Sequence, residues 1–358
     1  MRSESLVFFK KLLTTPSPSG FEVDIQKVVK KRMQPYCHTI EGDVHGNLIA
    51  AWNPDAPVRV MLAGHCDQIG LMVHHIDDSG FIYFGSIGGM DAAVLPGTVV
   101  NILAESGEIS GVIGHKPVHL MTPDERGKQV DMRRLWIDIG AADGKEARKL
   151  IKVGDPITFR LGVTHLGKNI IASPACDDKA GLFVCMEAMR LVSERIGKRK
   201  KHPVGLFAVS TVQEEVGLRG ARTSSYGIDP KVGIAVDVTH ASDNPGADPK
   251  QIGTVKFGKG PTIARGPNIN VVLEKLLVET GKKKKIPFQT LAAPGITGTD
   301  ANVIQVSRSG VASALIGIPN RYMHTCVELV DLRDLEAASK LIAETVLSIN
   351  SRTNFVPV

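Results

Sequence analysis

The sequence has little of what marks several protein classes. Its five cysteines (Cys37, Cys66, Cys176, Cys185 and Cys326) are odd in number, scattered, and show no Cys-x-x-Cys spacing. That pattern argues against a disulfide framework and fits reduced thiols. No apolar run is long enough for a signal peptide or a membrane span, so a cytoplasmic chain with no membrane partner is expected. Aromatic residues make up only 5%, which offers few surfaces for stacking. Two basic runs, residues 198–202 and 282–285, supply much of a moderate net charge of +6. Neither is interleaved with aromatic side chains, so both read as solvated loops and no nucleic-acid partner is expected. Internal repeats and low-complexity segments are absent.

What is present fits a two-domain α/β enzyme. At 358 residues, 43% apolar, 22% charged and with 36 glycines, the chain exceeds one ordinary core. Apolar residues recur at helical spacing over residues 6–13 and again from about Glu22. Residues 37–52 read as a hairpin, and residues 58–63 as a strand running into Gly64-His65-Cys66-Asp67. From 69 to 167 the texture changes to short β-prone pieces joined by tight turns, with one possible helix at 144–152. The α/β texture then resumes. A helix follows Asp177-Asp178, and strands are expected over the run from 204 that ends in Glu214-Glu215, and at 232–236, 288–292 and 311–316. Helices are expected at 268–280 and from residues 295–302, and the last helix is capped by Asp331. The expected fold class is therefore α/β, a central mixed sheet flanked by helices, with an inserted small β-barrel. Residues 1–68 and 168–358 form the discontinuous main domain, and 69–167 the insert.

The chemistry gathers around residues 204–217, VGLFAVSTVQEEVG, an apolar run that ends in the paired carboxylates Glu214 and Glu215. Open α/β sheets bind ligands beyond the carboxyl ends of their strands, and two like charges there repel unless a cation offsets them. Two other expected strands also end in ionisable residues, His65 with Asp67, and Asp237. Loops add Asp177 and His324. Imidazole and carboxylate without thiolate is the donor mixture of catalytic zinc, cobalt or manganese sites. Taken singly, each carboxylate is an ordinary turn or cap residue, and Asp178 and Asp300 are read as helix caps. Cys66 and Cys176 read as small buried apolar residues. His74, His75, His115, His119 and His165 read as surface groups of the insert.

Five motifs in order, His65-x-Asp67, Asp177-Asp-Lys-x-Gly181, Gln213-Glu-Glu-Val-Gly217, Val236-Asp-Val238 and Arg321-Tyr-x-His324, resemble the metal-site motifs of the M42 metallo-aminopeptidases. That family includes tetrahedral and glutamyl aminopeptidases and cellulase-labelled proteins. The resemblance spans nearly the whole chain. It implies a di-metal hydrolase that removes N-terminal residues from short peptides, with two divalent ions per subunit, Zn or Co, or else Mn. His65, Asp177 and Asp237 would hold one ion, and Asp177, Glu215 and His324 the other, with Asp177 as the bridge. Glu214 matches the general base acting on metal-bound water, and Asp67 the carboxylate that orients the ligand imidazole. Asp300 lies in a further family motif near the specificity pocket, and His240 is a candidate to line the site, so both are expected to touch substrate. Lys179 stands where the family favours arginine. The insert is expected to cover one side of the site and to support homo-oligomers, from dimers to tetrahedral dodecamers. Two other readings compete: a glycoside hydrolase, which needs two carboxylates and no metal, and a non-catalytic peptide-binding or assembly protein.

Overall fold

The structure is a computed structural model and describes residues 1–197 and 202–357. Basic residues 198–201 lie outside the described residues. The second basic run ends the exposed tip of helix Val271–Lys284.

Four strands run parallel at the centre, in the order Val204–Thr211, Val58–His65, Val232–His240 and Ala312–Arg321. Side chains alternate across a strand, and both faces of these strands are apolar. Val58, Val60 and Leu62 join a core under helices Ser3–Leu13, Cys176–Ile196 and Leu332–Ser348. Met61 and Ala63 join a second, smaller core on the opposite face with Ala221, Ile228 and Ile304. This two-sided burial is why the strands read as continuous apolar runs. Antiparallel strands extend the sheet at both ends, and Thr262–Arg265 with its parallel neighbour Gln289–Ala292 branches from Ala312–Arg321, which makes eleven strands among the described residues. The hairpin of Thr39–Gly42 with Leu48–Trp52 closes one end. Glu328–Asp331, Ile170–Ser173 and Thr164–Leu166 close the other.

Gly64 has a packing reason. A Cβ there would lie 2.6 Å from the backbone nitrogen of Leu182. The helix that starts near Asp177 can therefore sit directly on the strand that ends at His65.

Between His65 and Thr164 the chain forms a closed six-stranded antiparallel barrel, from Gly70–Ile76 to Pro156–Phe159. It has its own core, which includes Leu71, Ile82, Val100, Ile137 and Ile157. The 144–152 helix is present as Gly144–Leu150, with Asp143 accepting a bond from the Glu146 amide. Thr164–Leu166, expected inside the insert, instead turns at Gly167 (φ +66°) to pair with Ile170–Ser173 in the large sheet.

Several expected elements differ in detail. Strand Val204–Thr211 stops before the glutamate pair, so Glu214 and Glu215 stand in a turn where Gln213 has φ +55°. Asp237 lies inside Val232–His240 rather than at a strand end, because Ala312–Arg321 continues to pair with that strand as far as His240. Helix Arg219–Ile228 was not expected. Its Gly220, Thr223, Ser224, Ser225 and Gly227 are weak helix formers, and packing of Ala221 and Ile228 against the sheet overrides that preference.

Candidate metal centre

His65, Asp67, Asp177, Glu214, Glu215, Asp237 and His324 come together at one end of the parallel strands. Asp177 is the hub. One of its carboxylate oxygens lies 3.2 Å from His65 Nε2 and the other 3.2 Å from His324 Nε2. Glu215 is 3.6 Å from His324 Nε2, and Glu214 is 3.9 Å from His65 Nε2.

Hydrogen bonds set the direction of each imidazole. Nδ1 of His324 donates to the carbonyl of Gly89 in the barrel at 2.7 Å, and Nδ1 of His65 lies 3.0 Å from the Asp67 carbonyl. Both Nε2 atoms are thereby turned toward Asp177, with the outward nitrogen held by the protein as in metal-ligating histidines.

Asp67 does something the sequence did not reveal. Its carboxylate accepts the amides of Glu214 (3.0 Å) and Glu215 (3.3 Å) and the Ser19 hydroxyl (2.7 Å). It holds the glutamate turn as well as approaching His65 Nδ1, at 3.5 Å. From this turn Glu214 approaches His65 and Glu215 approaches His324.

Two residues read as caps prove more complex. Asp178 does accept the Gly181 amide at 2.9 Å, but its other oxygen is buried without a partner. Asp300 makes no capping bond. It accepts the Thr211 hydroxyl at 2.7 Å and keeps its second oxygen buried and unpartnered. His240, by contrast, is exposed at the end of its strand.

Glu328 was missed. It is a buried carboxylate, 2% exposed, that accepts the amides of Asp177 and His324. An acidic residue within the apolar run Val327-Glu-Leu-Val330 was the available signal, since charges are seldom buried without a partner.

Electrostatics point to a cation. Two like charges about 4 Å apart near a protein surface repel by roughly 4 kcal/mol, and carboxylates crowd together here. Burial, then Asp237, Asp300 and Glu215 against the opposing pull of His65, pushes Glu214 up to about 10. Burial and Asp177 push Glu215 up to about 8. Asp178 and Asp237 are driven well up, chiefly by burial. Burial also lifts Asp300 to about 6. Asp177 is the exception: burial opposes its ionisation, yet the bonds from His324 and His65 hold it below the usual carboxylate range. His324 is raised to about 9 by its bond to Asp177. Burial disfavours a charge on His65, but Glu214, Asp177 and Asp67 prevail and raise it. A bound cation would replace these protons, because it supplies the positive charge that they supply in its absence.

The donor set fits divalent ions. Among the described residues, ligand atoms of His65, Asp177 and Glu215 lie within 4.8 Å of one another, and so do those of His65, Asp178 and Asp237. An unpartnered Glu215 oxygen adds a free donor. Cys66 and Cys176 join neither group, and burial pushes both thiols well up, away from the reactive thiolate. Lys179 is fully buried and donates at 2.7 Å to the Thr15 carbonyl and to Gln68 Oε1. Burial lowers it to about 7. Its partners are neutral carbonyls at the edge of the cluster, which an ammonium satisfies without the fork of an arginine.

Ion uptake is therefore expected to release protons. Below about pH 9 an ion must displace the proton on His324, so affinity should fall as pH is lowered. Calorimetry at pH 7 in buffers of different ionisation enthalpy measures the release, and uptake without it contradicts this account of the cluster.

The sequence profile of the M42 glutamyl aminopeptidases matches residues 46–341. A lysyl aminopeptidase from Pyrococcus furiosus is 38% identical over 97% of this chain and 98% of its own length. The crystal structure of a TET aminopeptidase from a marine-sediment Thaumarchaeota archaeon superposes with a TM-score of 0.92 at 35% identity, covering 97% of each chain. A TET peptidase of Pyrococcus horikoshii, which assembles into a tetrahedron or a large octahedral shell, matches at TM-score 0.85 and 28% identity. That match covers 96% of this chain and all of the other.

Proposed function

The chain belongs to the M42 glutamyl aminopeptidase family and is a peptidase, and from that premise we propose that it removes N-terminal residues from short peptides with two divalent ions at this cluster. The observation that carries the reading is the Asp177 carboxylate, which presents one oxygen to each of two imidazoles at the same distance. His65, Asp177 and Asp237 would hold one ion, and Asp177, Glu215 and His324 the other. Asp178 is a further donor near the first. When bound, such ions supply Lewis acidity toward a carbonyl and acidify a water. Zinc or cobalt suits these donors, and manganese is also compatible.

The protein's own groups do the rest. Glu214 reaches into the cluster from the turn that Asp67 holds. It takes the proton of the attacking water, and the same carboxyl then returns a proton to the departing amine. Its proton affinity, raised by burial and by neighbouring carboxylates, would fall toward the working range of a base beside bound cations. Asp300, expected to touch substrate, is 3% exposed with its unpartnered oxygen buried, and it adds to the negative field around Glu214. His240, exposed at its strand end, would meet only the outer part of a peptide. Asp67 is a positioning residue, since its oxygens are engaged by the glutamate amides and Ser19.

A glycosidase needs two carboxylates flanking a sugar. Here the carboxylates converge on imidazoles, and nothing in the site favours that reading. The TET relative's assembly supports a homo-oligomer, from dimer to tetrahedral dodecamer, which light scattering distinguishes. No helix among the described residues is long and apolar enough to cross a membrane. The free cysteines support a reducing location, and we place the protein in the cytoplasm.

The test is cleavage of aminoacyl anilides. Turnover should require a free α-amine, vanish with chelator, and be accompanied by no reducing sugar from cellulose. Equal cleavage of N-acetylated substrates, or release of sugar, overturns the proposal.

A further inference from the structure

Glu328 opens the short strand Glu328–Asp331, which lies between two others. On one side it pairs with Ile170–Ser173, with Glu328 opposite Ser173. On the other it pairs with the end of Ala312–Arg321. Each neighbour leads directly to a candidate ligand: Asp177 lies just past Ser173, and His324 just past Arg321. The Glu328 side chain reaches both. Its Oε2 accepts the Asp177 amide at 2.7 Å and its Oε1 the His324 amide at 2.9 Å. Both bonds run from main-chain N–H groups to the two oxygens of one carboxyl group. His324 needs such a restraint, because its φ of +59° lies in the left-handed region that side chains with a Cβ rarely adopt. Nothing ties Glu328 to the ligating atoms themselves. It ties together the two backbones that carry them.

We infer that Glu328 is a positioning residue that fixes the spacing between Asp177 and His324 and so sets the affinity for the ion they share. The inference rests on the two-ion reading proposed above. It assigns Glu328 no contact with substrate and no proton transfer. A carboxylate is required because only that group offers two equivalent acceptors to two N–H donors. A glutamine of nearly equal size offers one, and turns its own N–H₂ toward the other donor.

The experiment compares ion content and kinetics of the wild type and Glu328→Gln, with thermal unfolding of both chelated proteins as the control for folding. Wild type should retain two ions per chain. Glu328→Gln should retain one tightly and bind the other about 10–100-fold more weakly, the usual effect of losing an outer-shell partner. With cobalt, the absorption of the second ion should appear only at higher free metal. Once that ion is saturated, kcat should return to near the wild-type value. Glu328→Asp, which keeps the charge but is one methylene too short to span both amides, should show the same split. It also serves if the glutamine variant does not fold. A Glu328→Gln protein that holds both ions as tightly as a two-ion wild type overturns this inference and leaves the aminopeptidase reading standing. So does a kcat that stays low at saturating metal, which would move Glu328 into the chemistry. A wild type that holds fewer than two ions overturns both.

Discussion

Glu214→Gln is expected to reduce kcat by about 10²–10⁴-fold, the range that a positioned general base supplies, with little change in KM or in ion content. Glutamine keeps the length and volume of the side chain, and the backbone anchor is unaffected because Asp67 binds the amides of Glu214 and Glu215, not their side chains. What is lost is a group able to take and return a proton. No direct hydrogen bond ties Glu214 to His65, since their closest approach is 3.9 Å, so the imidazole should keep its place. Steady-state kinetics with metal analysis on the same samples make the comparison. Turnover that survives the change would remove Glu214 as the base. A wild type with no turnover on any peptide substrate would favour the non-catalytic reading.

Asp177→Ala is expected to do more, because it deletes the carboxylate that lies 3.2 Å from each of the two imidazoles. Loss of an outer-shell partner costs 10–100-fold in metal affinity. Loss of a shared ligand should cost more, and for both ions together. Activity should fall to background, and dialysed protein should carry no ion. In the chelated state the variant should also differ electrostatically. Asp177 holds protons on His65 and His324, and without it His324 should titrate closer to an ordinary histidine than to about 9. The imidazole proton signals, followed by NMR against pH, give this directly. Retention of two ions by the variant would contradict Asp177 as the bridge.

Much of this architecture was legible in the sequence because burial on both faces leaves a plain signature. The strands ending near His65 and in front of Glu214 read as apolar runs, and the barrel as a change to short β-prone pieces. Periodicity also located the last helix, whose cap Asp331 accepts the Arg333 amide as expected. The failures share a cause. Helix Arg219–Ile228 is built from residues that disfavour helices in isolation, so only tertiary packing could have revealed it. Strand Val232–His240 continues past Asp237 because its neighbour continues, which a single segment cannot show.

The candidate site was legible by residue type and less so by arrangement. His65, Asp177, Glu215, Asp237 and His324 were singled out, and the fold brings them together. Asp178 looked like a cap and does cap, but it also offers a carboxylate oxygen within 4.8 Å of ligand atoms of His65 and Asp237. Asp300 stands at the N-cap position, but its side chain makes no capping bond. Glu328 drew no attention because its partners are backbone amides, that of His324 four residues away and that of Asp177 151 residues away. A hydrogen bond of that kind leaves no spacing to read.

The most direct test of the two-ion hydrolase is a titration of activity. Chelated protein is refilled with zinc or cobalt in known amounts, and cleavage of an aminoacyl anilide is followed against equivalents added. The account predicts no activity at zero equivalents and a rise that stops at two ions per chain. Full activity in the chelated protein, or a plateau reached with no ion bound, would contradict it.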